Sequence, residues 1–134
     1  MDSFKDDLTN SVRKLVRYLR ESELIELNIG AGEKRNILCN DICYIKSNLH
    51  YIEYHLNNNE IVRVRQSISE AERALFSHGF IKIHRQYLVC LNAIERLNSS
   101  TLQIFLYNGE ELSISKSYRD DVVMRYRMQL RKML

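Results

Sequence analysis

The sequence predicts a mainly β domain of antiparallel strands, with one short internal helix and a helix at each end. Three observations carry this. Apolar residues recur at every second position through most of residues 24–114, the period of half-buried strands. Between those runs lie clusters that turn a chain: Gly30-Ala31-Gly32, Asn57-Asn58-Asn59, Asn98-Ser99-Ser100 and Asn108-Gly109. At both ends and once in the middle, apolar spacing changes to the three- and four-residue steps of a helix packed on one face.

Taken in order, Phe4, Leu8, Val12, Leu15, Val16 and Leu19 form one helical stripe. Ser3 is placed to cap it, with Asp6 and Asp7 in its first turn and Arg17 and Arg20 near its end, an order that suits the helix dipole. Ile25, Leu27 and Ile29 then alternate with Glu26 and Asn28, and residues 34–38 run back as a partner strand. After a break at Asn40-Asp41, residues 42–45 (ICYI) read as a buried strand, interrupted at Ser47-Asn48-Leu49. Ile52, Tyr54 and Leu56 alternate with Tyr51, Glu53 and His55, and the asparagine turn leads into residues 61–65.

Ser67 and Glu70 have capping-box spacing for a short helix whose Ile68, Ala71 and Leu75 share a face. Gly79 lies just past its end, where a left-handed residue is often required. FIKIHRQYLVCL (80–91) alternates, breaks at Arg85-Gln86, then runs apolar. Residues 94–97 and the alternation of Leu102, Ile104 and Leu106 follow, and Asn108-Gly109 is the strongest hairpin signal in the chain, returning through Leu112 and Ile114. Ser117 is placed to cap a last helix, with Asp120 and Asp121 in its first turn and Val122, Val123, Tyr126, Leu130 and Met133 as its apolar stripe. The expectation is about nine or ten short strands.

The 134 residues fit one domain, and 45% hydrophobic content supplies a core and excludes compositional disorder. No apolar run approaches the roughly 20 residues of a membrane helix, so no membrane partner is expected. The acidic start MDSFKDDL lacks a signal-peptide layout, and three cysteines, Cys39, Cys43 and Cys90, suit a reducing cytoplasm better than a disulfide framework. The net charge of +3 is uneven: residues 81–134 hold nine basic and five acidic side chains. That fits contact with a polyanion, although charge alone favours an ordinary solvated face.

Catalysis finds no support. The four glycines build no phosphate loop, and there is no G-x-S-x-G elbow. His50 and His55 could approach Cys39 or Cys43, but no spacing matches a zinc site, so no cofactor is expected. The eight tyrosines are scattered, with Tyr54, Tyr87 and Tyr126 on core faces, which argues against a base-stacking platform.

Three polar clusters remain, each where a strand ends or bends: Ser47-Asn48-Leu49-His50, His84-Arg85-Gln86, and Ser115-Lys116-Ser117-Tyr118-Arg119. Arg and Lys can pair with guanine acceptors, and Asn and Gln can make a two-pronged contact with adenine. The N–H groups of a helix beginning at Ser117 could take a phosphate. The bland alternative is that His84 and Ser117 cap turns while Arg85 and Lys116 are surface charges.

The wording DICYIKSNLHYIEYHL (41–56), IVRVRQSISEAERAL (61–75), FIKIHRQYLVCLNAIERL (80–97) and LYNGEELSISKSY (106–118) resembles the LytTR DNA-binding domain, the non-helix-turn-helix output domain of many bacterial response regulators. The most specific pieces are F-x-x-I-H-R-x-Y-L-V and I-S-K-x-Y, and the resemblance covers about residues 24–130. It implies an elongated antiparallel β fold, with residues 1–22 as a linker-like helix and residues 23–134 as the DNA-binding domain. It implies loops that enter successive major grooves of double-stranded DNA, at imperfect direct repeats, to regulate transcription in a two-component system.

Carried over position by position, the base-contact candidates are Asn48 or His50, Arg85 and Lys116. Lys46, Ser47, Gln86, Ser117 and Arg119 would contact phosphate or support, and His84 would fix its loop as a cap. The family often has Ser at the position of Gln86 and Asn at that of Cys90. Relatives usually carry a receiver domain, for which these 134 residues leave no room. The chain is therefore either a receiver-less regulator or a fragment cut at the linker, and the first stripe could form a homodimer, in solution or on DNA. The competing expectation is a β-rich protein-interaction module that ignores nucleic acid.

Overall fold

The computed structural model describes residues 8–15 and 23–133, with the side chains of residues 132 and 133 left aside. Of the first helix, α1, residues 8–15 are helical; its proposed cap Ser3, Asp6, Asp7, Arg17 and Arg20 lie outside the described residues, as do the side chains of Lys132 and Met133.

Among the described residues, ten strands form three antiparallel sheets, in line with the alternating pattern. β1 (Leu24–Gly30) and β2 (Glu33–Leu38) make a hairpin. The central sheet has the order β5-β4-β3-β7-β6. Its strands are β3 (Ile42–Asn48), β4 (Tyr51–Leu56), β5 (Ile61–Val64), β6 (Phe80–His84) and β7 (Tyr87–Cys90). β8 (Ile94–Asn98), β9 (Gln103–Leu106) and β10 (Glu111–Ser113) form the third sheet.

β3 lies in the middle of the central sheet, and its first four residues are all buried. That is why ICYI reads as an uninterrupted apolar run. Full burial of a side chain such as Ile45 or Leu88, both inaccessible to solvent, contributes about 1.5–3 kcal/mol. Helix α2 (Ile68–Leu75) packs Ala71 and Leu75 on the sheet, and the Ser67 hydroxyl accepts the Glu70 N–H at 3.1 Å, as the capping-box spacing predicts. Gly79 ends the following turn at φ 81°, a left-handed value.

Three expectations need correction. The interruption at Ser47-Asn48-Leu49 falls later, because Ser47 and Asn48 still pair with Ile52 and Tyr51. Ser117 does not cap the last helix. It lies inside a 3-10 turn, Lys116–Tyr118, and α3 (Arg119–Met133) starts only after it. On α3 the buried face contains Val122 and Gln129, whereas Leu130 is exposed. Gln129 can be buried because its Nε2 donates to Asn92 Oδ1 at 2.7 Å, and Asn92 Nδ2 donates to Asn40 Oδ1 at 3.1 Å. Among the described residues no helix is long and apolar enough to cross a membrane.

Candidate nucleic-acid interface

The three polar clusters lie side by side at one end of the central sheet. The β3–β4 turn and the β6–β7 turn both close at this end, since Asn48 pairs with Tyr51, His84 with Tyr87, and Tyr87 with Lys46. Two main-chain bonds lock the row. The Ser47 N–H donates to the Gln86 carbonyl at 2.8 Å, joining the first turn to the second. The Ser115 N–H donates to the Ile83 carbonyl at 2.8 Å, joining the third segment to the edge of the second.

A β-bulge shapes the middle of the row. Lys82 pairs with Leu88 but His84 with Tyr87, so Ile83 is an extra residue on β6. The bulge re-aims His84 onto the Tyr87 ring, 5.6 Å away edge-on. His84 Nδ1 accepts the Gln86 N–H at 3.2 Å, which shapes a two-residue turn and leaves Arg85 and Gln86 exposed. Lys46 lies 6.0 Å from the same Tyr87 ring and is half-buried.

In the first turn, Asn48 Nδ2 donates to the Tyr51 hydroxyl at 3.1 Å. That uses one of its two amide hydrogens and leaves the other, with the carbonyl oxygen, for a two-pronged contact. His50 is exposed, Ser47 half-buried. In the third segment Lys116 and Ser117 are exposed, and Arg119 turns its Nε to Asp120 at 3.3 Å, which partly neutralises it.

Two residues of this end escaped the sequence reading. Arg63 and Arg65, at the close of edge strand β5, alternate as ordinary solvated positions do, so no local signal marks them. The structure puts Arg63 5.9 Å from the Tyr51 ring and 3.6 Å from Glu53, and leaves Arg65 exposed. With Tyr51, Asn28 and Gly30 they line a groove of about 480 Å³ beside the first turn.

Burial pushes the Cys39 thiol up to about 11 and the Cys43 thiol up to about 12, so neither is a thiolate nucleophile at neutral pH. Burial, then a hydrogen bond to Glu110, raises the Tyr44 phenol; the ring stacks on His55 at 4.2 Å. His55 Nε2 lies 3.3 Å from buried Glu53. Among the described residues, no group of three or more His, Cys, Asp or Glu side chains could hold a metal ion.

The sequence model of the family described as the LytTr DNA-binding domain matches residues 32–127. The chain belongs to the LytTR family. Among solved structures, a LytTr DNA-binding domain of a methyl-accepting/DNA response regulator from Bacillus cereus has the same fold, with a TM-score of 0.64 and 21% identity, covering 76% of this chain and 94% of that one. No curated protein matches the chain. A LytTR domain is a DNA-binding domain, so DNA binding in transcription regulation is the general function of this chain.

Proposed function

We propose that the chain binds double-stranded DNA sequence-specifically and regulates transcription in the bacterial cytoplasm, as the output part of a two-component system. The single observation that carries this is the pair of main-chain bonds that lock three donor-rich segments into one row. Asn48 or His50, Arg85 and Lys116 contact base edges; Lys46, Ser47, Gln86, Ser117 and Arg119 contact phosphate or support them, and His84 holds the second turn. Neighbouring strands lie about 4.8 Å apart, which separates the first and third segments by roughly 17 Å at their bases. Sheet twist and long side chains fan them further, toward successive major grooves. The domain spans residues 23–134, with residues 1–22 as a linker-like helix that follows a receiver where one is present.

Selection of bound duplexes from a random pool tests this, with the winner titrated against a scrambled duplex at two salt concentrations. A short motif recurring about one helical turn apart (10–10.5 base pairs) is expected, as imperfect direct repeats. A pool that stays random, with binding lost at moderate salt, would leave only a nonspecific basic surface.

One observation favours a second reading. Leu8, Val12 and Leu15 on α1 are all exposed, at 56%, 50% and 56%. A homodimer or a protein partner could cover them; a complex that survives high salt and ignores DNA would support an interaction module instead.

A further inference from the structure

Four non-glycine residues among those described have positive φ: Ala31, Leu49, Asn59 and Leu102. Three have local reasons. Ala31 is small and lies in a glycine turn, asparagine tolerates the left-handed region, and Leu102 packs on the core. Leu49 has none. Its φ is 45°, and its side chain is 92% exposed, the most exposed large apolar side chain among the described residues. Asparagine or glycine would fit this backbone with less strain. The fold gains nothing from a leucine here, so its use lies outside the fold.

Leu49 stands at the tip of the first turn, between Asn48 and His50. The major groove offers an isobutyl group one apolar feature on a base edge, the C5-methyl of thymine. We infer that Leu49 is a specificity-determining residue that packs on a thymine methyl next to the base contacted by Asn48 or His50. This rests on the DNA-binding reading above. The side chain is almost fully exposed at the tip of the turn, so the apolar contact forms only when the turn is seated in the groove.

The test replaces each thymine of the selected duplex in turn with deoxyuridine, which deletes only the methyl. Affinity is measured for the unmodified chain, Leu49→Ala and Leu49→Asn. The unmodified chain is expected to lose about fourfold at one position, the worth of one buried methyl group, and both variants to be insensitive there. Leu49→Asn is expected to melt no lower than the unmodified chain while binding more weakly, a split that a structural role would not produce. If no thymine position shows a loss that depends on Leu49, the inference is overturned. It is also overturned if the variants bind the selected duplex as well as the unmodified chain does. Failure of the unmodified chain to select any motif would instead sink the DNA-binding reading itself.

Discussion

At one end of the central sheet, amide side chains bond inward. Asn57 Nδ2 donates to the Asn40 carbonyl at 2.8 Å, Asn92 links Asn40 to Gln129, and Arg35 closes on Glu60 through two guanidinium–carboxylate bonds, one of 2.8 Å. At the other end Arg85, Gln86 and Lys116 are exposed and Asn48 is half-buried, with one amide hydrogen on the Tyr51 hydroxyl. The same residue types are therefore bonded within the fold at one end and left open to solvent at the other, the end proposed to recognise DNA. What decides is whether a second segment covers them. Helix α3 brings Gln129 over the closed end; no described segment covers the open one.

Substitutions can separate the two ends. The largest effect belongs to the closed end. Asn92→Ala strands the buried Gln129 amide and removes a bond to Asn40, and should lower stability by on the order of 3 kcal/mol in urea unfolding, with DNA affinity per folded molecule unchanged. A parallel loss of affinity would show that the ends are coupled. Next comes the open end. Arg85→Ala and Lys116→Ala should each weaken binding to the selected duplex by about 2 kcal/mol, roughly thirtyfold, with stability within about 0.5 kcal/mol. Equal losses on a scrambled duplex would reduce both to backbone contacts.

A smaller change tests the groove. Arg63→Gln and Arg65→Gln should each lower the slope of log affinity against log salt by about 0.9, equally on both duplexes; an unaltered slope would place β5 off the DNA. The smallest concerns Arg35 and Glu60. The hydrogen bond from Arg35 holds the Glu60 carboxyl below the usual carboxylate range. Its stabilisation is therefore present at neutral pH and lost as pH falls through that depressed value. The stability difference between the unmodified chain and Glu60→Gln should be small at neutral pH and vanish in acid, and a difference that persists in acid would give it another origin.

Much of this was legible in the sequence because the deciding signals are local. Alternation gave the strands, Asn108-Gly109 the last hairpin, Ser67 the start of the internal helix, and Gly79 the end of the turn that follows it. Motif wording pointed to the three loops. What was missed depends on distant partners. Gln129 reads as a surface residue until Asn92, far back in the chain, is placed beside it. Arg63 and Arg65 look like solvated strand positions until Tyr51 on the neighbouring strand is known. Ser117 carries the residue type of a cap, yet the preceding 3-10 turn moves the start of α3 two residues on. The bulge at Ile83 hides because its burial matches the alternation it breaks.

The bonds from Ser47 to Gln86 and from Ser115 to Ile83 join main chain to main chain. Any side chain but proline can stand at the donor positions without removing these bonds, so, on the proposed reading, the spacing of the loops is inherited separately from what they contact. If the loops read base edges as proposed, a lineage carrying this frame can exchange one loop residue, shift its preference by a single base pair, and keep the others in register. New target sites then lie one substitution away, and a genome can accumulate differently addressed copies on one frame.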